Sequence, residues 1–227
     1  MSYLIISDLH LRPNDSYQKI DYLKKLFLKF KNIIIIGDFF EGYNWSFKDI
    51  IKNIYFKDLI KIITQKNCIY IIGNHDSCVL KESNLLKKYF QDYGFNYELK
   101  IKNQKFLFLH SHKIFPSIDE IFKINYLPKK ITSILLNLIG YYKDHRLRAL
   151  KYLKLKKIFI EKDTQQLLSI IDKKFPQRDY WIITGHTHNP IILKDKKYAN
   201  CGFVDYGFAS YLTINNQGEL KLNIEKY

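Results

Sequence analysis

The sequence predicts a layered α/β fold, and three observations carry that expectation. Short, continuously apolar runs rich in isoleucine recur along the chain. Helical periodicities separate the first three of them. The C-terminal stretch after residue 190 reads as strands again, without helical spacing between them.

The runs are Tyr3-Leu-Ile-Ile-Ser7, Ile33–Ile36, Ile69-Tyr-Ile-Ile72, Phe106–Leu109 and Tyr180–Thr184. Continuous rather than alternating apolarity implies strands covered on both faces. Ile20, Leu23, Phe27 and Phe30 fall at helical spacing before the second run, and Leu59, Ile62 and Ile63 before the third. Leu85, Leu86, Tyr89, Phe90 and Tyr93 mark a helix after it. This alternation argues for packed layers. Further on, Ile191–Leu193, Tyr206–Ile214 and Leu220–Ile224 are strand-like, with Asn215-Asn-Gln-Gly218 as a hairpin turn. A second sheet packed on the first is the natural reading of that region. Between Lys113 and Arg178 the pattern is helical. Ile131, Ile134, Leu135, Leu138 and Ile139 form one apolar face stopped by Gly140; Leu147, Leu150 and Leu153 form a second; Leu167, Leu168, Ile170 and Ile171 form a third.

Composition narrows the function classes. With 227 residues and 47% hydrophobic residues the chain can bury a core, which excludes a disordered chain. No apolar run reaches the roughly 18 residues of a transmembrane helix. The N-terminus passes straight into a strand without a charged leader, so no signal peptide is expected and a cytoplasmic location is. Cys68, Cys78 and Cys201 are odd in number and widely spaced, against a zinc ribbon or disulfide scaffold. The formal charge of +15 implies an anionic partner: nucleic acid, a phosphorylated metabolite or an acidic membrane surface. The charge is uneven. Lys113 to Arg178 holds 15 Lys and Arg against 6 Asp and Glu.

Six of the 7 histidines fall in four clusters: Asp8-Leu-His10, Gly73-Asn-His-Asp76, His110-Ser-His112 and Gly185-His-Thr-His188. A fifth cluster, Gly37-Asp38, lacks histidine. Each cluster directly follows one of the five apolar runs. In open α/β sheets ligands bind beyond the carboxyl ends of the strands, so the five clusters are expected to converge there. Residues two apart on an extended segment face the same side, which pairs Asp8 with His10 and His186 with His188. Imidazole, carboxylate and one amide suit Mn²⁺, Fe or Zn²⁺ better than Mg²⁺. The donors exceed the needs of one ion. Two ions about 3.5–4 Å apart would use them fully, clamp phosphoryl oxygens and activate water.

The ordered set Asp8-x-His10, Gly37-Asp38, Gly73-Asn74-His75-Asp76, His110 and Gly185-His186-x-His188 resembles the calcineurin-like metallophosphoesterase superfamily. The resemblance implies a four-layer α/β/β/α sandwich with two mixed sheets, and a helical cap inserted at about residues 114–176. It implies that Asp8, His10 and His188 hold a first metal ion and that Asp38 bridges to a second. Asn74, His110 and His186 would hold that second ion, with Mn²⁺ expected at both sites. His75 would not be a ligand but would contact the phosphoryl oxygen or protonate the leaving group, with Asp76 orienting it. His112 is expected to face the substrate or support a ligand.

The Ser-Asp-Leu-His-Leu opening, the Gly-Asp-Phe-Phe-Glu block and the helical insertion look like one branch, the UDP-2,3-diacylglucosamine hydrolases of lipid A synthesis. That branch cleaves a pyrophosphate in a lipid-linked nucleotide sugar, releasing UMP, beneath a lid that covers the acyl chains. Leucines among cations in the insertion suit such a cover and a peripheral contact with an anionic membrane, and Arg146 and Arg148 could pair with phosphate. Two positions depart from the branch: it carries Arg where this chain has His75, and Gly-Asp where this chain has Ser111-His112. The alternatives are a nuclease or nucleotide phosphodiesterase of the same superfamily, to which +15 would also suit, and a non-catalytic scaffold.

Overall fold

A computed structural model describes residues 2–80, 82–116 and 156–227. The chain divides into two compact units, Met1–Ser111 with Asp179–Tyr227, and His112–Arg178.

The first unit contains two mixed sheets. β1 (Tyr3–Ile6), β2 (Asn32–Ile36), β3 (Asn67–Ile71) and β4 (Asp92–Gly94) run parallel to one another. On the other side of β1 lies antiparallel β11 (Phe208–Ile214), which also pairs with β10 (Val204–Asp205) and β12 (Leu220–Lys226). The second sheet runs β5 (Asn96–Ile101), β6 (Gln104–Leu109), β7 (Trp181–Thr184), β9 (Tyr198–Asn200), β8 (Ile191–Leu193). In it β6, β7 and β9 are parallel, and β5 and β8 are antiparallel edges.

The isoleucine run of β2 shows why the layers form. Ile33 and Ile35 face a core shared with the helices, while Ile34 and Ile36 face a core between the sheets. In the helical core they meet α1 (Tyr17–Leu28) and α3 (Phe56–Thr64) through Ile20, Leu23, Phe27, Leu59 and Ile63. Helix α1 starts at Ser16, whose side chain accepts from the Lys19 N–H. In the inter-sheet core Ile5, Ile34, Ile36 and Ile71 meet Phe106, Phe108 and Ile183. Short helices α2 (Phe47–Ile51), α4 (Ser77–Leu80) and α5 (Ser83–Tyr89) complete the connections of the first sheet.

The second unit contributes α6 (Lys156–Lys174), with Leu167 and Ile171 buried. This helix carries the third expected apolar face of the insertion. The other two faces, Ile131–Ile139 and Leu147–Leu153, lie outside the described residues. No described helix is long and apolar enough to cross a membrane.

The expected α/β sandwich with two mixed sheets is present, with two corrections to its elements. The C-terminal strands do not form the second sheet together: β8 joins it, whereas β11 and β12 complete the first. The helix expected to run to Tyr93 ends at Tyr89, because Phe90 turns extended and Tyr93 enters β4 beside Tyr70.

Candidate metal centre

Strand direction puts the five clusters together. β1, β2 and β3 are parallel, as are β6 and β7, so within each sheet the carboxyl ends share an edge. The edges of the two sheets meet where the His110 Nδ1–H donates to the Ile36 carbonyl at 2.8 Å. The backbone turns abruptly on leaving each strand. Asp8, His10, Asp38, His186 and His188 all have positive φ, between 43° and 73°. Such left-handed conformations cost a non-glycine residue about 1–3 kcal/mol and concentrate at functional sites. At Gly73 a side chain is excluded: an added Cβ would lie 2.2 Å from Asp38 Oδ1.

The side chains form three overlapping groups of potential metal donors, Asp8–His10–His188, His10–Asp38–His75 and Asp38–His110–His186, each with its donor atoms within 4.8 Å of one another. His188 Nε2 lies 3.1 Å from Asp8 Oδ1 and 3.4 Å from His10 Nε2. Across the centre, His110 Nε2 lies 3.1 Å from Asp38 Oδ2 and 3.2 Å from Asn74 Oδ1. Asp38 belongs to two of the groups, and its Oδ2 also stands 4.0 Å from His10 Nε2. The remaining oxygens of the two aspartates are fixed by main chain: Asp8 Oδ2 accepts from the His186 N–H and Asp38 Oδ1 from the His75 N–H.

The electrostatics are those of a site prepared for cations. Burial by itself would raise the Asp8 carboxyl, but His188 and His110 outweigh it and bring it to about 2. Asp38 is likewise held well below the usual carboxylate range, because His110 and His75 overcome its burial. His110 moves the other way. Desolvation lowers it, yet Asp38 and Asp8 raise it to about 9. Desolvation leaves His10 below its ordinary value. Two buried carboxylates facing imidazoles, with an amide oxygen alongside, are a donor set that fits divalent transition metals.

His75 is held at the edge of this cluster. Its Nδ1 lies 2.9 Å from Glu41 Oε1, while Glu41 Oε2 reaches His10 Nδ1 at 3.4 Å. Glu41 is nearly fully buried, and the two imidazoles lower its carboxyl despite that burial. The sequence expectation gave the orientation of His75 to Asp76. The structure instead puts Glu41 on that ring and turns Asp76 into the loop scaffold. Asp76 Oδ2 accepts from the N–H groups of Asp38 and Gly73, and Oδ1 from that of Phe40. Burial and the charge of Asp38 push its carboxyl up to about 6. Adjacency in sequence was misleading here, since a turn sends neighbouring side chains apart. Glu41 was missed although it stands three residues beyond Asp38 in the Gly-Asp-Phe-Phe-Glu block. Of the other expected site residues, His112 belongs to the second unit, and Arg146 and Arg148 lie outside the described residues.

Two mixed sheets whose strand ends carry clustered imidazole, carboxylate and amide donors form a candidate centre for divalent metal ions, and the family match makes the protein a metal-dependent phosphoester hydrolase. The chain belongs to the calcineurin-like phosphoesterase family, whose model matches residues 1–216. That family implies a binuclear divalent metal centre and a phosphorylated substrate. No curated protein matches the chain at a significant level. Among solved structures, an archaeal phosphodiesterase superposes with a TM-score of 0.52 at 16% identity over 99% of both chains. YfcE, a phosphoesterase from E. coli, does so with a TM-score of 0.51 at 15% identity over 98% of both chains. At these identities the likeness concerns the fold.

Proposed function

We propose that the chain hydrolyses a pyrophosphate or phosphodiester bond at a two-metal centre, and that its substrate is a lipid-linked nucleotide pyrophosphate of the UDP-2,3-diacylglucosamine type. The observation that carries the two-metal reading is the position of Asp38, which lies in one donor group with His10 and in another with His110 and His186. Asp8, His10 and His188 would hold one ion, Asn74, His110 and His186 the other, with Asp38 between them. The ions, probed first as Mn²⁺, would supply Lewis acidity at the phosphoryl group and a nucleophile from water.

The chain's own residues do the rest. The Glu41 carboxylate at Nδ1 favours a proton on that atom of His75 and stabilises the doubly protonated ring. His75 can then donate from Nε2 to the departing oxygen, which needs a proton or a charge-stabilising donor. The low-lying carboxyls of Asp8 and Asp38 keep the site anionic across the physiological range.

The Ser-Asp-Leu-His-Leu and Gly-Asp-Phe-Phe-Glu blocks support the choice of substrate, as does the cationic, leucine-rich stretch from Lys113 to Arg178. This reading places the enzyme in the cytoplasm, in peripheral contact with the inner face of the membrane. The test is hydrolysis by purified protein with Mn²⁺ of three substrates: bis-p-nitrophenyl phosphate, UDP-2,3-diacylglucosamine and single-stranded DNA. UMP release from the lipid substrate is the expected result. Cleavage of DNA with a steep salt dependence, which the +15 charge would suit, would replace this substrate with nucleic acid. Absence of Mn²⁺-dependent turnover on all three would defeat the proposal.

A further inference from the structure

We propose that Tyr43 is a positioning residue that sets two functional side chains at once, the Asn74 amide and the His75 ring. The inference rests on the metal-site reading above, in which Asn74 is a ligand and His75 acts on the substrate.

Asn74 poses a problem that aspartate and histidine do not. Only its Oδ1 can bind a cation, and an amide turned by 180° would aim two N–H donors at the ion instead. Something must hold the amide one way round. Asn74 Nδ2 donates to the Tyr43 hydroxyl at 3.1 Å, and with that end held Oδ1 faces the cluster, 3.2 Å from His110 Nε2. Loss of a group of this kind, which grips the far side of a ligand, typically costs about 10–100-fold in metal affinity.

The same side chain fixes His75 through its face. The Tyr43 and His75 rings stack with centroids 4.1 Å apart and planes 24° from parallel. Glu41 holds His75 by its edge at Nδ1, and His10 meets it edge-on with centroids 4.6 Å apart. Glu41, His10 and Tyr43 each limit the ring's tilt, and Tyr43 also touches Asn74. Tyr43 is 8% exposed, so the stack is largely shielded from water.

The backbone makes this placement firm. Tyr43 follows Gly42, whose N–H donates to the His75 carbonyl at 2.7 Å. A Cβ at residue 42 would sit 2.4 Å from that same oxygen, so glycine is required for the strand-to-helix loop to approach the 73–76 turn. The loop is thus joined to the turn by main chain at Gly42 and by side chain at Tyr43.

Hydroxyl and ring can be separated by substitution. Tyr43→Phe keeps the stack and deletes the grip on Asn74. It should weaken Mn²⁺ binding at one of two sites by about 10–100-fold in calorimetric titration, with excess Mn²⁺ restoring kcat. Tyr43→Leu deletes both functions, and excess Mn²⁺ should not restore its kcat. In an Asn74→Ala background, Tyr43→Phe should have no further effect on Mn²⁺ affinity, since the amide it acts through is gone. Unchanged Mn²⁺ affinity in Tyr43→Phe overturns the proposal, whether or not the variant melts at a lower temperature. A merely structural residue would lower Tm without moving the Kd. If Asn74→Ala itself binds two ions with wild-type affinity, the metal-site reading fails, and that outcome is distinct from a failure of Tyr43 alone.

Discussion

Replacing Glu41 with glutamine should disable the enzyme while leaving its fold intact. The carboxylate holds two imidazoles, His75 at 2.9 Å and His10 at 3.4 Å. Glutamine has the same shape but one acceptor oxygen, so it can serve one ring and must present N–H groups to the other. Its neutrality also removes the charge that favours a doubly protonated His75. A charge-assisted hydrogen bond contributes about 1.5–3 kcal/mol. Loss of about 2–3 kcal/mol from the group that meets the leaving oxygen corresponds to a fall in kcat of about 30- to 160-fold. Weakened support of His10 should cost about tenfold in Mn²⁺ affinity at one site. The assay is kcat on bis-p-nitrophenyl phosphate at saturating Mn²⁺, paired with calorimetric Mn²⁺ titration and a thermal melt. A Glu41→Gln protein with wild-type kcat and wild-type affinity would refute the assignment of His75 orientation to Glu41.

Other expectations follow from the same geometry. Asp76→Asn should act on stability: the amide must confront at least one of the buried N–H groups of Asp38, Gly73 or Phe40 with a donor. The cost of about 1–3 kcal/mol, at roughly 2–4 °C per kcal/mol, would appear as a lower Tm in calorimetry. An unchanged Tm would contradict the scaffold role. Ile34→Ala should destabilise by about 2–5 kcal/mol in urea unfolding, because Ile34 is fully buried between the sheets. Metal binding should release protons. His110, raised to about 9 in the metal-free site, is protonated at neutral pH and must lose that proton to bind a cation. Mn²⁺ affinity should therefore rise between pH 7 and 9, and binding heats should differ between buffers of different ionisation enthalpy. In the metal-free protein the same raised value favours folding. That contribution is full below the ordinary imidazole value of 6.5 and is lost as the pH climbs through about 9. Chelation with EDTA should lower Tm, since 100-fold excess of metal over Kd contributes about 2.7 kcal/mol.

Much of the site was legible because its residues sit where strand patterns end. The runs at Tyr3–Ser7, Ile33–Ile36, Ile69–Ile72, Phe106–Leu109 and Tyr180–Thr184 are apolar without a break and end sharply; Ile33–Ile36 is buried on both faces, whereas Leu107 and Leu109 are only half-buried. Chemistry-bearing side chains immediately beyond them stand out. What failed were pairings between distant segments. β11 has a clear strand pattern, but nothing local says that it pairs antiparallel with β1 from more than 200 residues away. β5 was overlooked although Tyr97, Leu99 and Ile101 alternate with polar residues, the signature of an edge strand buried on one face. Tyr93 matched a helical spacing by coincidence, four residues being too few to separate helix from strand. Glu41 and Tyr43 escaped notice for a related reason. Their partners, His75 and Asn74, lie more than 30 residues away, and only the folded loop brings them within 3.1 Å.

Anomalous diffraction from crystals soaked in Mn²⁺ tests the central claim most directly. Two peaks about 3.5–4 Å apart are expected, one among Asp8, His10 and His188, the other among Asn74, His110 and His186, with Asp38 touching both. A lone peak, or manganese bound away from these side chains, would contradict the two-metal account.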